Sequence, residues 1–88
     1  MSMLGLDPTA VRALANQMAN AASEIQQLAS QLTNMLANTQ WVGPDHDRFA
    51  GDWNGTHVHQ LQLVANALSD ASSVANQNVA QQEQASNS

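Results

Sequence analysis

Cysteine is absent from this 88-residue chain, which rules out disulfides and thiolate metal sites. Lysine is absent too, and Arg12 and Arg48 are the only fixed cations against seven acidic residues, giving a net charge of −5. Nucleic-acid affinity draws on clustered cations that displace phosphate counterions, and no such cluster exists here. The same deficit disfavours anionic membrane surfaces and membrane-active peptide behaviour. No apolar run approaches the length that would span a bilayer, so stable membrane insertion is not expected. Tyrosine is missing, and aromatic residues make up 3% of the chain. The N-terminal stretch Met1-Ser2-Met3-Leu4-Gly5-Leu6 has neither a basic region nor a sustained apolar segment. Any export is therefore expected to proceed without a cleavable signal peptide.

What remains is a chain rich in Gln, Asn, Ser and Ala with a regular apolar rhythm. At this length one domain is the limit, and a small domain without disulfides or metal generally leans on a partner. Asp7-Pro8 is a helix-start signal, with Asp as N-cap and Pro at the first helical position. From there to about Asn38, Val11, Leu14, Met18, Ala21, Ile25, Leu28, Leu32 and Met35 alternate in spacings of three and four. That is a heptad seam, widened by Ala15, Ala22, Ala29 and Leu36. So wide a stripe suits a helix that touches two neighbours.

Residues 39–44 form the turn, and a second helix starts at about Pro44 or Asp45, where Pro favours initiation. Phe49, Trp53 and His57 follow at intervals of four, and then Leu61, Val64, Leu68, Ala71 and Ala75 resume the heptad spacing. Gly51, Asn54, Gly55 and Thr56 are poor helix formers, each Gly costing roughly 0.8–1 kcal/mol against Ala. Two readings stand: a kink or fray, or a flat patch that lets the helices approach closely.

The fold class predicted is all-α: an antiparallel two-helix hairpin over residues 7–76, dimerising into a four-helix bundle. An arm of residues 1–6 precedes it. With the turn centred near residue 42, residues 77–88 have no partner in the chain and are expected to be frayed or disordered. Leu36, Val58, Leu63 and the Ala row are expected to stay exposed until a second hairpin covers them. The seam of hairpin and dimer is assigned to Val11, Leu14, Met18, Ile25, Leu28, Leu32, Met35, Phe49, Trp53, Leu61, Val64 and Leu68.

Trp41-Val42-Gly43 at the bend, between two long heptad helices and followed by Pro44-Asp45-His46-Asp47-Arg48-Phe49 and Trp53, resembles the Trp-Xaa-Gly family of small type VII (ESX) secretion substrates. These are relatives of the early secreted antigenic target protein, and the likeness spans nearly the whole chain. It implies a homodimer, or a heterodimer with a paralogous hairpin, made in the cytoplasm and exported folded through a membrane machine driven by a motor ATPase. It also implies a recognised surface formed by the bend of one subunit and a Tyr-x-x-x-Asp/Glu motif in a partner's tail. Trp41 and Gly43 are the matching bend residues. In the tail, Val79 stands where tyrosine belongs and Glu83 supplies the acid, so either the signal is degenerate or a partner carries the complete one; the second reading is favoured.

Other chemistry is poorly served. His57 and His59 are two residues apart, and His46 lies more than two helical turns away, so no pair shares the i,i+4 face of a helical zinc site. Asp7, Asp45 and Asp47 fit helix N-termini, where negative charge complements the macrodipole, and Met18 and Met35 are core positions. A hairpin provides no walled pocket for a nucleophile–base pair, so neither enzymatic activity nor a cofactor is expected. Trp41 reads either as a recognition residue or as a plug over the end of the core, partly buried in both cases; Gly43 reads as conformational. The alternative to a secreted dimer is a cytosolic adaptor or chaperone partner for a larger secreted helical effector.

Overall fold

The computed structural model describes residues 7–87, with side chains through Ala85; the arm 1–6 lies outside the described residues. The described residues form a helical hairpin with no strand among them. Helix α1 spans Pro8–Asn38, α2 spans Pro44–Asp52, and α3 spans Val58–Asn87. A π-helical turn, Trp53–His57, joins α2 to α3 so that the three run on as one long second arm. The hairpin extends 65 × 17 × 17 Å.

Helix α1 begins as its sequence requires. The Asp7 carboxylate accepts from the Thr9 and Ala10 backbone N–H groups at 3.0 and 3.4 Å, and Pro8 occupies the first turn, where no amide donor is needed. At the other end, the side chains of Asn38 and Thr39 donate back to the carbonyls of Asn34 and Met35. The Met35 carbonyl is among the last four, which the helix itself leaves open.

The hairpin seam differs from the one expected. Its buried residues on α1 are Ala15, Ala22 and Ala29, and on α3 Ala65, Ser72 and Val79; each trio recurs every seven residues. Half-buried Val11, Met18 and Ile25 flank the first trio, and Leu61, Leu68 and Ala75 flank the second. The Ala row expected to stay exposed is the contact, and Leu36 and Val58 are half-buried with it. Leu14, Leu28, Leu32, Met35, Phe49 and Val64, assigned to the joint seam of hairpin and dimer, leave 47–62% of their surface exposed within the hairpin. The cause is size: alanine and serine faces let two helices approach more closely than leucine faces do. Closer approach brings more backbone and Cβ atoms into dispersion contact and leaves the longer side chains outside.

Register follows from one buried hydrogen bond, Ser72 Oγ to the Ala15 carbonyl at 2.8 Å. This pairing sits about three residues further along α3 than a turn centred on residue 42 would give. The tail is corrected accordingly. Helix α3 continues to Asn87 rather than fraying after Gln77, because Val79 still lies alongside the first turns of α1 and Glu83 pairs with Arg12.

The π-turn answers the question raised by the glycine-rich stretch. Trp53 and Val58, five residues apart, are both half-buried, while His57 is exposed. One extra residue in the turn rotates the helix so that the four-residue spacing before it meets the heptad spacing after it. Val58, not His57, takes the next place along the seam. A flat patch for close approach is not supported, since a Cβ at Gly51 or Gly55 would meet nothing within 4 Å.

The seam makes a test available. Ala15→Leu or Ala65→Leu would wedge the helices apart and should cost about 1–3 kcal/mol, read as a lowered midpoint in thermal circular dichroism. Ala13→Leu, on an exposed position of α1, should leave the midpoint nearly unchanged.

Candidate functional site: the bend and the apolar side of the hairpin

Two features stand out from the polar surface, and both follow from the seam. In an antiparallel pair, residues that immediately precede the seam positions of one helix share a side with those preceding the seam positions of the other. On this hairpin that side carries Leu14, Ala21, Leu28 and Met35 from α1, with His57, Val64, Ala71 and Asn78 from the second arm. The opposite side carries Arg12, Gln26 and Thr33, with the small Ala19 between them, facing Gln62, Ser69, Asn76 and Glu83. The ion pair between Arg12 and Glu83 joins these two rows directly, and a cleft of about 400 Å³ on that side is lined mainly by Gln26, Ser30, Thr33, Asn34 and Gln62. The molecule is therefore amphipathic as a whole, with one flank apolar and the other mainly neutral and polar.

The second feature is the bend. Gly43 has φ 137° and ψ 176°, a region that side-chain-bearing residues rarely enter. It directs the chain into Pro44, and the Asp47 N–H returns to the Gly43 carbonyl at 3.1 Å. Asp45 and Asp47 lie in the first turn of α2, where their charge complements its dipole. Trp41 is held by ring contacts. His46 meets it edge-on with centroids 5.3 Å apart, and Phe49 lies tilted at 6.0 Å. Trp41 remains 41% exposed, and Val42 beside it is 97% exposed.

Trp53 closes the bend from the other arm. Its Nε1–H donates to Thr33 Oγ1 at 2.8 Å, and the Thr33 hydroxyl donates in turn to the Ala29 carbonyl at 2.8 Å. This relay fixes the start of the π-turn to α1. Between the arms, Leu32, Met35, Leu36, Thr39, Trp41, Phe49 and Trp53 line an open, mostly apolar cleft of about 240 Å³. Leu32 and Met35 belong both to this cleft and to the exposed apolar side, so the two surfaces are continuous.

The expected site residues fall into separate groups. Trp41 and Gly43 sit together at the bend, with Phe49 and Trp53 beside them. Val79 and Glu83 lie at the far end of the hairpin and are both engaged there: Val79 has 0% exposure and Glu83 holds Arg12. Among the described residues, no three His, Asp or Glu side chains come together as a metal site would require. No described helix is long and apolar enough to cross a membrane. The sequence reading missed the cleft as a unit, although Phe49 and Trp53 at i,i+4 following Trp41 signalled an aromatic cluster. It also missed Thr33, whose role depends on a partner twenty residues away. Compared with protein-family models, with characterised proteins and with solved structures, the chain has no match.

Replacing Gly43 with Ala should destabilise the hairpin by about 1–3 kcal/mol through backbone strain alone, because space around its Cβ position is open. Trp53→Phe removes the indole donor but keeps the ring, and should cost about 1 kcal/mol. Chemical denaturation followed by circular dichroism reads both.

Proposed function

We propose that this chain is a non-enzymatic helical interaction protein of the Trp-Xaa-Gly type, exported as a folded dimer by a type VII secretion system. The observation that carries the reading is the Trp41-Val42-Gly43 tripeptide at the apex of a hairpin with one continuous apolar flank. Gly43 occupies a conformation suited to glycine, and the residue between it and Trp41 is almost wholly exposed. Such an apex presents backbone and side chains outward, as a recognition surface needs.

The apolar flank supports the dimer. Contiguous exposed apolar surface of this kind marks an interaction site, and a second hairpin laid against it completes a four-helix bundle. A homodimer and a heterodimer with a paralogous hairpin both satisfy this geometry. Val79 is committed to the hairpin and Glu83 to Arg12. This favours a complete Tyr-x-x-x-Asp/Glu signal carried by a partner over use of this tail as the signal. The secretion motor ATPase would then read the bend of this chain together with the partner's tail.

Trp41→Ala should reduce export into culture supernatant, scored against a lysis marker, by more than it reduces helicity. Equal loss of folded dimer and export would make Trp41 a packing residue. Protein that stays with the cells alongside a larger effector would instead favour the cytosolic adaptor reading. Separately, Leu28→Glu on the apolar flank should shift the light-scattering mass of the purified chain from dimer towards monomer. Gln26→Glu on the polar flank should leave the mass unchanged.

A further inference from the structure

The apolar flank is bordered by charge of one sign. Glu24 lies three residues after Ala21 and four before Leu28, and so stands beside both on α1. On the second arm, Trp53 and Val58 take successive places along the seam, and half-buried His46 lies one heptad before Trp53. The residues that precede them, Asp45, Asp52 and His57, therefore carry the flank row down to the bend. Glu24, Asp45 and Asp52 are all exposed. The ion pairs among the described residues are Arg12 with Glu83 and His46 with Asp47, and neither engages these three carboxylates. Arg48 stands alone against Asp45, Asp47 and Asp52, so the bend is net negative.

A second copy answers these charges poorly. When two hairpins pair with their bends at opposite ends, first helix against first helix, the middle of one α1 faces the middle of the other. Matching Leu14 to Met35 and Ala21 to Leu28 sets Glu24 of one copy level with Ile25 of the other. The two Glu24 carboxylates then meet beside the two-fold axis. On the second arm, Ser72 is level with Ala15, which puts Asn78 level with Thr9. In the same register Thr9 faces Gln40, at the bend, so the copy offers only neutral Asn78 to Asp45 and Asp52. Like charges brought together across an interface oppose association, and unanswered ones add nothing to it.

We infer that the flank is built for a different hairpin rather than a second copy. That partner is a paralogue whose apolar face carries a lysine or arginine at the middle of its first helix, opposite Glu24. It carries another near the tail end of its second helix, opposite Asp45 and Asp52. The inference rests on the dimer reading above and chooses between its two forms. Apolar contact supplies the attraction, and the three carboxylates select the partner, since specificity also comes from what the wrong pairing leaves repelled or unpaired.

A cationic copy of the chain serves as the probe, made with Glu24→Lys, Asp52→Lys and Asn78→Lys at three exposed helical positions. Circular dichroism checks that it keeps its helicity. Native chain, cationic copy and their equimolar mixture are followed by light scattering over a dilution series. Native mass spectrometry separates the mixed dimer from the unmixed ones. The expected result is a mixed dimer with a dissociation constant about tenfold below that of the native pair, the gap closing in about 0.5 M sodium chloride. Glu24→Gln alone, a change too small to disturb folding, should tighten the native pair about twofold. A native pair as tight as the mixed one overturns selection by charge and leaves the homodimer standing. A preference that survives high salt overturns it as well, because its origin would not be electrostatic. Helical monomers in every sample overturn both the inference and the dimer.

Discussion

The contact between two faces of small side chains governs this molecule. Ala15, Ala22 and Ala29 against Ala65, Ser72 and Val79 bring the helices close, but they remove little apolar area per residue. The larger side chains stay outside. A hairpin held this way is joined along its whole length and yet incomplete. Its smallest residues are taken up by internal contact, so Leu14, Leu28, Leu32, Met35 and Val64 remain exposed. The polar flank, with its single ion pair and its Gln, Asn and Ser side chains, offers no comparable incentive to associate.

The bend depends on the same contact. Close helices need a compact reversal, which Gly43 supplies through a conformation that other residues adopt only under strain. The aromatic residues around it gather at the end of the seam, where they line an open cleft between the arms. The π-turn at Trp53–His57 belongs to this transition. It places Trp53 for the hydrogen bond to Thr33 and then rotates the helix so that Val58 begins the seam. Poor helix formers are tolerated there because the turn asks for one extra residue per rotation rather than for tight α-helical repetition. A weakness in local propensity thereby becomes the adjustment between the cluster at the bend and the seam beyond it.

Much of the architecture was legible along the chain. The Asp7-Pro8 start, the length of α1, the reversal at Gly43-Pro44 and the antiparallel pairing all rest on short-range chemistry: a capping carboxylate, fixed proline geometry, glycine freedom and heptad spacing. The tripeptide at the bend was equally visible. Less legible was which side of a wide apolar stripe faces inward. Spacing puts Leu14 and Ala15 on adjacent rows, and a rule that favours larger apolar residues chooses the leucines. Likewise, the polar character of residues 77–87 hid the helix they form, because Val79 and Glu83 find partners only near the start of α1.

The sequence by itself determined that this protein is a helical hairpin reversing at Gly43-Pro44, with two chemically distinct kinds of surface residue, because capping, turn geometry and periodicity act within a few residues. Tertiary structure alone decided which row became the seam, how far the tail pairs, and that the aromatic residues enclose a cleft continuous with the apolar flank. Those outcomes depend on how closely two helix axes can approach. That distance is set jointly by side chains fifty or more residues apart, as when the Ser72 hydroxyl reaches the Ala15 carbonyl.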